Sequence, residues 1–379
     1  MTPRVLQLLP ALGDGGVERS TVEMADHLAD LGAPGLVASA GGDLVAELAR
    51  SGTRHVTLPV GAKNPLTALG AAVRLARVID EAAVDVLHAR SRMPAWVALA
   101  ARRLSRRRPA FVSTFHGVYG HRGALKRAYN AGMLRGPLVI ANSGFIRDHL
   151  VSVYGVAPER IVVAPRGIDP ARFDPAHHGD AARAALRKVL GVPEGAAMLV
   201  LVGRLSRWKG HMTLVRALAA LRTTRSWRAV FVGGETSGAL RGELTAAAAE
   251  HGIAERIVFA GSRRDVPAIL ATADLAFSVS TEPEAFGRAA IEASAMARPV
   301  IAAAHGGSLE TVLPGRTGWL VPPGDPEALA AAVDEALADP ARAAALGAAG
   351  RAFVLAEFTT RRTVEREAAV YRRLTEPAR

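Results

Sequence analysis

The stretch Met198-Leu199-Val200-Leu201-Val202-Gly203-Arg204-Leu205-Ser206-Arg207-Trp208-Lys209-Gly210 changes character in its middle. Five apolar residues in a row, without polar alternation, read as a strand covered on both faces. A polar loop follows over 203–210, and from Met212 apolar residues return at helical spacing. Strand, loop and helix in that order form the unit of a parallel α/β sheet, whose ligands bind beyond the carboxyl ends of the strands. The loop places Arg204 and Lys209 at such an end. A planar guanidinium beside a point-charge ammonium suits a diphosphate on which negative charge grows as a bond breaks. A solvated basic loop is the alternative reading.

The same alternation extends both ways. Downstream, 230–232, 257–260, 275–279, 299–302 and 318–321 are strand candidates, with helices over 284–297, 326–337 and 341–357. Upstream, 5–9, 34–39, 84–88, 111–115 and 138–141 are short apolar runs. A helix follows Gly16, and another spans 66–79, opened by Asn64-Pro65. Between 166 and 180 the pattern breaks into Pro170, Pro175, Gly179 and the pair His177-His178, which is linker chemistry. A chain of 379 residues, half of them hydrophobic, can build two cores. We therefore expect an α/β protein of two Rossmann-like domains facing an interdomain cleft: 1–180 with the linker, 181–358, and a terminal helix over 359–379.

Composition excludes several classes. Without Cys there is no disulfide framework, thiolate metal site or catalytic thiol. The apolar run at 5–9 carries Gln7, meets Pro10 and lacks a cleavage site, so it reads as a first strand and not a signal peptide. No run of about 20 apolar residues offers a membrane span. The net charge of +12 is uneven, for no acidic residue falls between Asp85 and Asp148. Arg90, Arg92, Arg122, Lys126 and Arg127 lie within that block. They suggest contact with an acceptor or an anionic membrane surface. The plain alternative is an Arg-rich composition with a basic helix end near Arg108. Nucleic acid is not expected, because the block lacks the interleaved aromatics of a base-stacking platform.

Two more segments carry chemistry. Gly13-Asp14-Gly15-Gly16-Val17-Glu18-Arg19 joins a strand to a helix, where Gly15 and Gly16 would let backbone approach an anion. It is neither a complete dinucleotide fingerprint nor a Walker loop, which argues against an NAD-dependent dehydrogenase. Taken alone, it is as readily a tight turn. In Glu284-Ala285-Phe286-Gly287-Arg288-Ala289-Ala290-Ile291-Glu292, Phe286, Gly287 and Arg288 would present amides at a helix start. Glu284 could grip a sugar hydroxyl, and Glu292 could accept from a ribose diol. Equally, the first could be a mere first-turn acid and the second an exposed helical one.

Gly15-Gly16-Val17-Glu18-Arg19, Gly203-Arg204 with Lys209-Gly210, Glu284 to Glu292, and His305-Gly306-Gly307-Ser308-Leu309-Glu310 followed by Gly315, Thr317 and Gly318 occur in one order. This set resembles the retaining glycosyltransferase family with the GT-B fold and the E-x7-E motif, across nearly the whole chain. Within it, His88-Ala89-Arg90-Ser91-Arg92, Thr114-Phe115-His116-Gly117, Lys126-Arg127-Ala128-Tyr129-Asn130 and Pro165-Arg166-Gly167-Ile168-Asp169 look like alphaproteobacterial lipopolysaccharide-core mannosyltransferases. Ala297 departs from the glycine of many relatives.

The resemblance implies that Arg204 and Lys209 hold the diphosphate of a GDP- or UDP-linked sugar and that Gly16 closes on it. Glu284 and His116 would contact the sugar, Glu292 the ribose, and the last helix would cross back to the first domain. It further implies transfer of a hexose, mannose or a related sugar, to a lipopolysaccharide-core or other lipid-linked or phosphorylated glycan, on the cytoplasmic face of the inner membrane. No cofactor is expected, the nucleotide sugar being a substrate. No Asp-x-Asp occurs to hold a metal, so cationic side chains and helix N-termini would supply the charge. A sugar-nucleotide epimerase, or a non-enzymatic binder of anionic polymers, are the other readings.

Overall fold

The computed structural model describes residues 2–13, 15–235 and 238–376. Asp14 of the glycine-rich loop lies outside them. The chain forms two compact units, one from Met1–Arg166 with Thr360–Arg379 and the other from Gly167–Thr359.

In the first unit the strands are β1 (Val5–Leu8), β2 (Leu36–Ser39), β3 (Arg54–Thr57), β4 (Val86–Ala89), β5 (Ala110–Phe115), β6 (Val139–Ala141) and β7 (Ile161–Val163). Among the described residues they make a parallel sheet in the order β3-β2-β1-β4-β5-β6-β7. Every residue of β1, β2 and β4 is buried, which accounts for their nearly unbroken apolar character. The expected helix over 66–79 spans Pro65–Glu81; the Asn64 side chain accepts from the amides of Leu66 and Thr67, with Pro65 at the first position. The helix before the basic loop, Arg92–Leu104, stops short of Arg108 and carries Arg102 and Arg103 in its last turn.

The second unit holds β8 (Ala197–Val202), β9 (Trp227–Val232), β10 (Ile257–Gly261), β11 (Leu275–Ser278), β12 (Val300–Ala303) and β13 (Gly318–Val321). They pair in parallel as β10-β9-β8-β11-β12-β13. The order reverses between β8 and β11, and in sheets of this kind ligands bind beyond the carboxyl ends of the strands at such a reversal. The corresponding reversal in the first sheet lies between β1 and β4.

The chain divides at Arg166/Gly167, not at 180. Ile168 and Phe173 of the expected linker belong to the second unit's core. The Ile168 amide donates to the Phe358 carbonyl at 2.9 Å, and Arg351 donates to the Phe173 carbonyl at 3.0 Å. Apolar anchoring thus outweighs the prolines as a boundary signal. The terminal helix, Thr360–Thr375, buries Val364, Ala368, Val370 and Tyr371 against Val5, Met24, Val86 and Val112 of the first unit.

Candidate active site

The loops after β8 and β11 are fastened together backbone to backbone. The Thr281 amide donates to the Trp208 carbonyl at 2.7 Å. Gly210 has φ +79°, and a Cβ there would lie 1.9 Å from the Val279 carbonyl oxygen, so only glycine fits. The loop after β12 closes in from the other side: the Gly307 amide donates to the Glu284 carbonyl at 2.8 Å. A side chain on Gly307 would run into the Phe286 backbone at 2.3 Å. Three sequence motifs, scattered over more than a hundred residues, are therefore one local structure.

Within it, Lys209 Nζ lies 2.8 Å from Glu284 Oε1, and both side chains are mostly buried, 18% and 12% exposed. The Ser280 hydroxyl donates to the same carboxylate oxygen. Glu284 precedes the helix Arg288–Ala295, whose cap is Gly287 at φ +85°, so it is no first-turn acid. Arg204 is exposed, and its guanidinium makes no hydrogen bond or ion pair with the described residues. Its neighbour Arg207 is held by Glu243 at 2.6 Å. The site thus combines an uncommitted guanidinium, an ammonium and a carboxylate at the switch point of a parallel sheet.

Glu292 lies in the second turn of that helix, 3.4 Å from Arg288, with 16% of its side chain exposed. Burial pushes its carboxyl above the ordinary value, against the pull of Arg288, Arg172 and Lys209. It is not an exposed helical acid. The helix opens at Arg288, two residues beyond Phe286, whose ring is 3% exposed and packs edge-on to Phe358 at 5.4 Å. Phe286 is a core residue whose amide precedes the helix, and the expected start at 284 is corrected to that extent.

In the first unit, Gly15 caps the helix Gly16–Asp30 with extended backbone. A Cβ on Gly15 would meet only the flexible end of Glu18. His116 follows β5 directly, with Nδ1 2.5 Å from Arg166 Nη2. A guanidinium only donates, so Nδ1 accepts and the ring proton sits on Nε2. That nitrogen is buried and has no partner among the described residues. Burial, then Arg166 and Arg90, hold His116 well below its ordinary pKa, so it is neutral at physiological pH.

The basic block behaves unevenly. Arg90 is 1% exposed and cannot contact an acceptor or a membrane: its Nη2 lies 2.7 Å from Glu367 Oε2, and its Nε donates to Gln7 at 2.8 Å. Arg92 is not a free surface cation either. It stacks over Tyr119 at 4.6 Å and Tyr129 at 5.4 Å. Arg122, Lys126 and Arg127 are exposed, the latter two on the helix Ala124–Ala131 beside Leu125, itself 87% exposed. Buried partners that sequence reasoning did not single out are Gln7, Glu367 and Tyr371; the last lies 2.6 Å from His88 Nδ1. Their only signal was polar residues on otherwise apolar faces.

Comparison with known proteins places this geometry. Residues 14–172 match the family model described as Glycosyltransferase Family 4, and residues 182–353 match Glycosyl transferases group 1. The D-inositol 3-phosphate glycosyltransferase of Kineococcus radiotolerans is 37% identical over 253 residues, covering 62% of this chain and 57% of that protein. The matched stretch thus spans little more than half of that relative. The GDP-mannose-dependent alpha-(1-6)-phosphatidylinositol monomannoside mannosyltransferase of Mycolicibacterium smegmatis is 33% identical, with 81% of each chain covered. A crystal structure of a glycosyltransferase from Rickettsia africae superposes with a TM-score of 0.92 at 33% identity, covering 100% of both chains. With its two parallel-sheet Rossmann-like units and these matches, the chain has the GT-B fold and belongs to the group 1 glycosyl transferases.

Proposed function

We propose that this protein transfers a hexose, mannose or a related sugar, from a GDP- or UDP-linked donor to a phosphate-bearing, lipid-linked acceptor, with retention at the anomeric carbon. The observation that carries it is the Lys209–Glu284 pair beside uncommitted Arg204. As the bond between the anomeric carbon and the diphosphate oxygen breaks, its electron pair passes to that oxygen, and Arg204 and Lys209 stabilise the charge. Glu284 binds a sugar hydroxyl, Glu292 the ribose diol, and His116 offers its Nε2–H to a sugar hydroxyl. Gly15 and Gly16, with the amides from Gly287 and Arg288 onward, supply further donors to phosphate. The acceptor oxygen bonds to the anomeric carbon from the face the diphosphate leaves. Its proton passes to a phosphate oxygen of the leaving group. In this reading the cations do the electrostatic work, and no metal is required.

The relatives' names support a phosphate-bearing acceptor, the first citing an inositol phosphate, while only the second, citing a phosphatidylinositol monomannoside, supports a lipid-linked one. Lipopolysaccharide core belongs to the same lipid-linked, phosphate-bearing class. No helix among the described residues is long and apolar enough to cross a membrane. Arg122, Lys126, Arg127 and Leu125 form the surface we assign to an anionic leaflet, on the cytoplasmic side.

The test is release of free nucleotide diphosphate from GDP-mannose, UDP-glucose and UDP-N-acetylglucosamine, with and without phosphatidylinositol mannoside or lipopolysaccharide-core acceptor. Acceptor-dependent release with one donor, and an α-linked product from an α-linked donor, supports the proposal. Conversion of the donor to an epimer with no release would overturn it.

A further inference from the structure

His116 is not held by its neighbours in sequence. Its Nδ1 accepts from Arg166 Nη2 at 2.5 Å, and Arg166 Nη1 lies 3.4 Å from Glu367 Oε1. The other oxygen of Glu367 pairs with Arg90 at 2.7 Å. Arg90, Arg166 and Glu367 are 1%, 5% and 1% exposed. Two guanidinium groups and one carboxylate are thus buried together. Such a cluster is a poor device for stability, since apolar side chains of similar volume would serve as well or better. It is a good device for geometry, because a guanidinium fork gripped on one side presents its remaining N–H groups in a fixed plane.

Resting on the function proposed above, we infer that Glu367, on the terminal helix, is a positioning residue that acts through Arg166 to hold the His116 ring in place with its proton on Nε2. Arg166 cannot accept a proton, so its contact keeps Nδ1 bare and the ring proton on Nε2. The backbone end of the residue is held separately, by Asn142 Nδ2 donating to the His116 carbonyl at 3.3 Å. The terminal helix therefore contributes more than apolar packing: a residue 251 positions downstream of His116 sets which nitrogen of that histidine can donate.

A rival account holds that Glu367 only pins the helix. Glu367→Gln made in an Arg166→Met background separates the two: if Glu367 acts through Arg166 it costs no further kcat there, and if it only pins the helix it costs as much as in the parent. The assay is acceptor-dependent nucleotide release, with whichever donor is turned over among GDP-mannose, UDP-glucose and UDP-N-acetylglucosamine. Both Arg166→Met and Glu367→Gln are expected to lower kcat about tenfold to a hundredfold, the loss that follows misplacement of a positioned group, with donor KM little changed. In a His116→Ala background, Arg166→Met should cost nothing further. An equal loss in both backgrounds, or unchanged kcat in Arg166→Met alone, overturns the relay while leaving the transfer reading intact. Full turnover by His116→Ala overturns the role of His116 itself. Should Glu367→Gln fail to fold, Glu367→Asp, which keeps the charge and shortens its reach to Arg166, takes its place in the parent and Arg166→Met backgrounds.

Discussion

Lys209 and Glu284 face each other at 2.8 Å, more than four-fifths buried. At an effective dielectric of 20 their attraction is about 6 kcal/mol before either group's desolvation is counted. Removing one partner strands the other, which costs about 3 kcal/mol for buried pairs. Lys209→Met and Glu284→Gln should each lower the melting temperature of the second unit by about 8 °C. The double variant strands nothing, and its stability should return to within about 1 kcal/mol of the parent. Turnover should behave differently. Lys209→Met removes a cation from the departing diphosphate and should reduce kcat by about two to four orders of magnitude. Adding Glu284→Gln cannot restore it. Calorimetry and acceptor-dependent nucleotide release on the four proteins complete the cycle. Turnover that recovers together with stability would show that Lys209 is only a counter-ion for Glu284, and the diphosphate assignment would be wrong.

Ala297 has φ +56° at the end of the helix Arg288–Ala295, a left-handed position that favours glycine. Ala297→Gly should raise stability by about 1 kcal/mol with kcat unchanged, read by thermal melting; a lower melting temperature would contradict it. His211 is buried against Phe231, and its pKa is lowered to about 4, by burial first and then by Lys209. The unfolded chain takes up this proton near pH 6.5 and the folded chain does not. Its stabilising contribution is therefore complete above pH 6.5 and declines by about 3 kcal/mol as pH falls to 4. His211→Phe should flatten that limb in urea titrations, and an unchanged slope would refute the assignment. Replacing Arg122, Lys126 and Arg127 together by Ser should weaken co-sedimentation with phosphatidylserine vesicles about a hundredfold at low salt. Equal binding by parent and variant removes the membrane surface from the account.

Fold class was legible because a parallel sheet covered on both faces demands uninterrupted apolar strands, as in Met198 to Val202 and in β1. β3 escaped notice: Arg54–Thr57 is a short, partly exposed edge strand, and a half-wet edge does not select apolar residues. The helix Asp180–Val189, which the sequence reading left unassigned, is short and fully buries none of its residues; only partly buried contacts such as Leu186 tie it to the second unit's core.

Sequence alone singled out the loops that the second unit brings together, because glycines at close approaches and charges at strand ends are local requirements. Arg204, Lys209, Glu284 and the Gly306-Gly307 turn were all legible in that way. Only the tertiary structure decided which charges are available. Arg90 and Arg127 look alike in a basic run, yet one is sealed against Glu367 and the other is exposed. Likewise the tautomer of His116 depends on Arg166, fifty residues on, and through it on the terminal helix. The physical reason is that burial and ion pairing depend on distance in space, and a linear pattern records only distance along the chain.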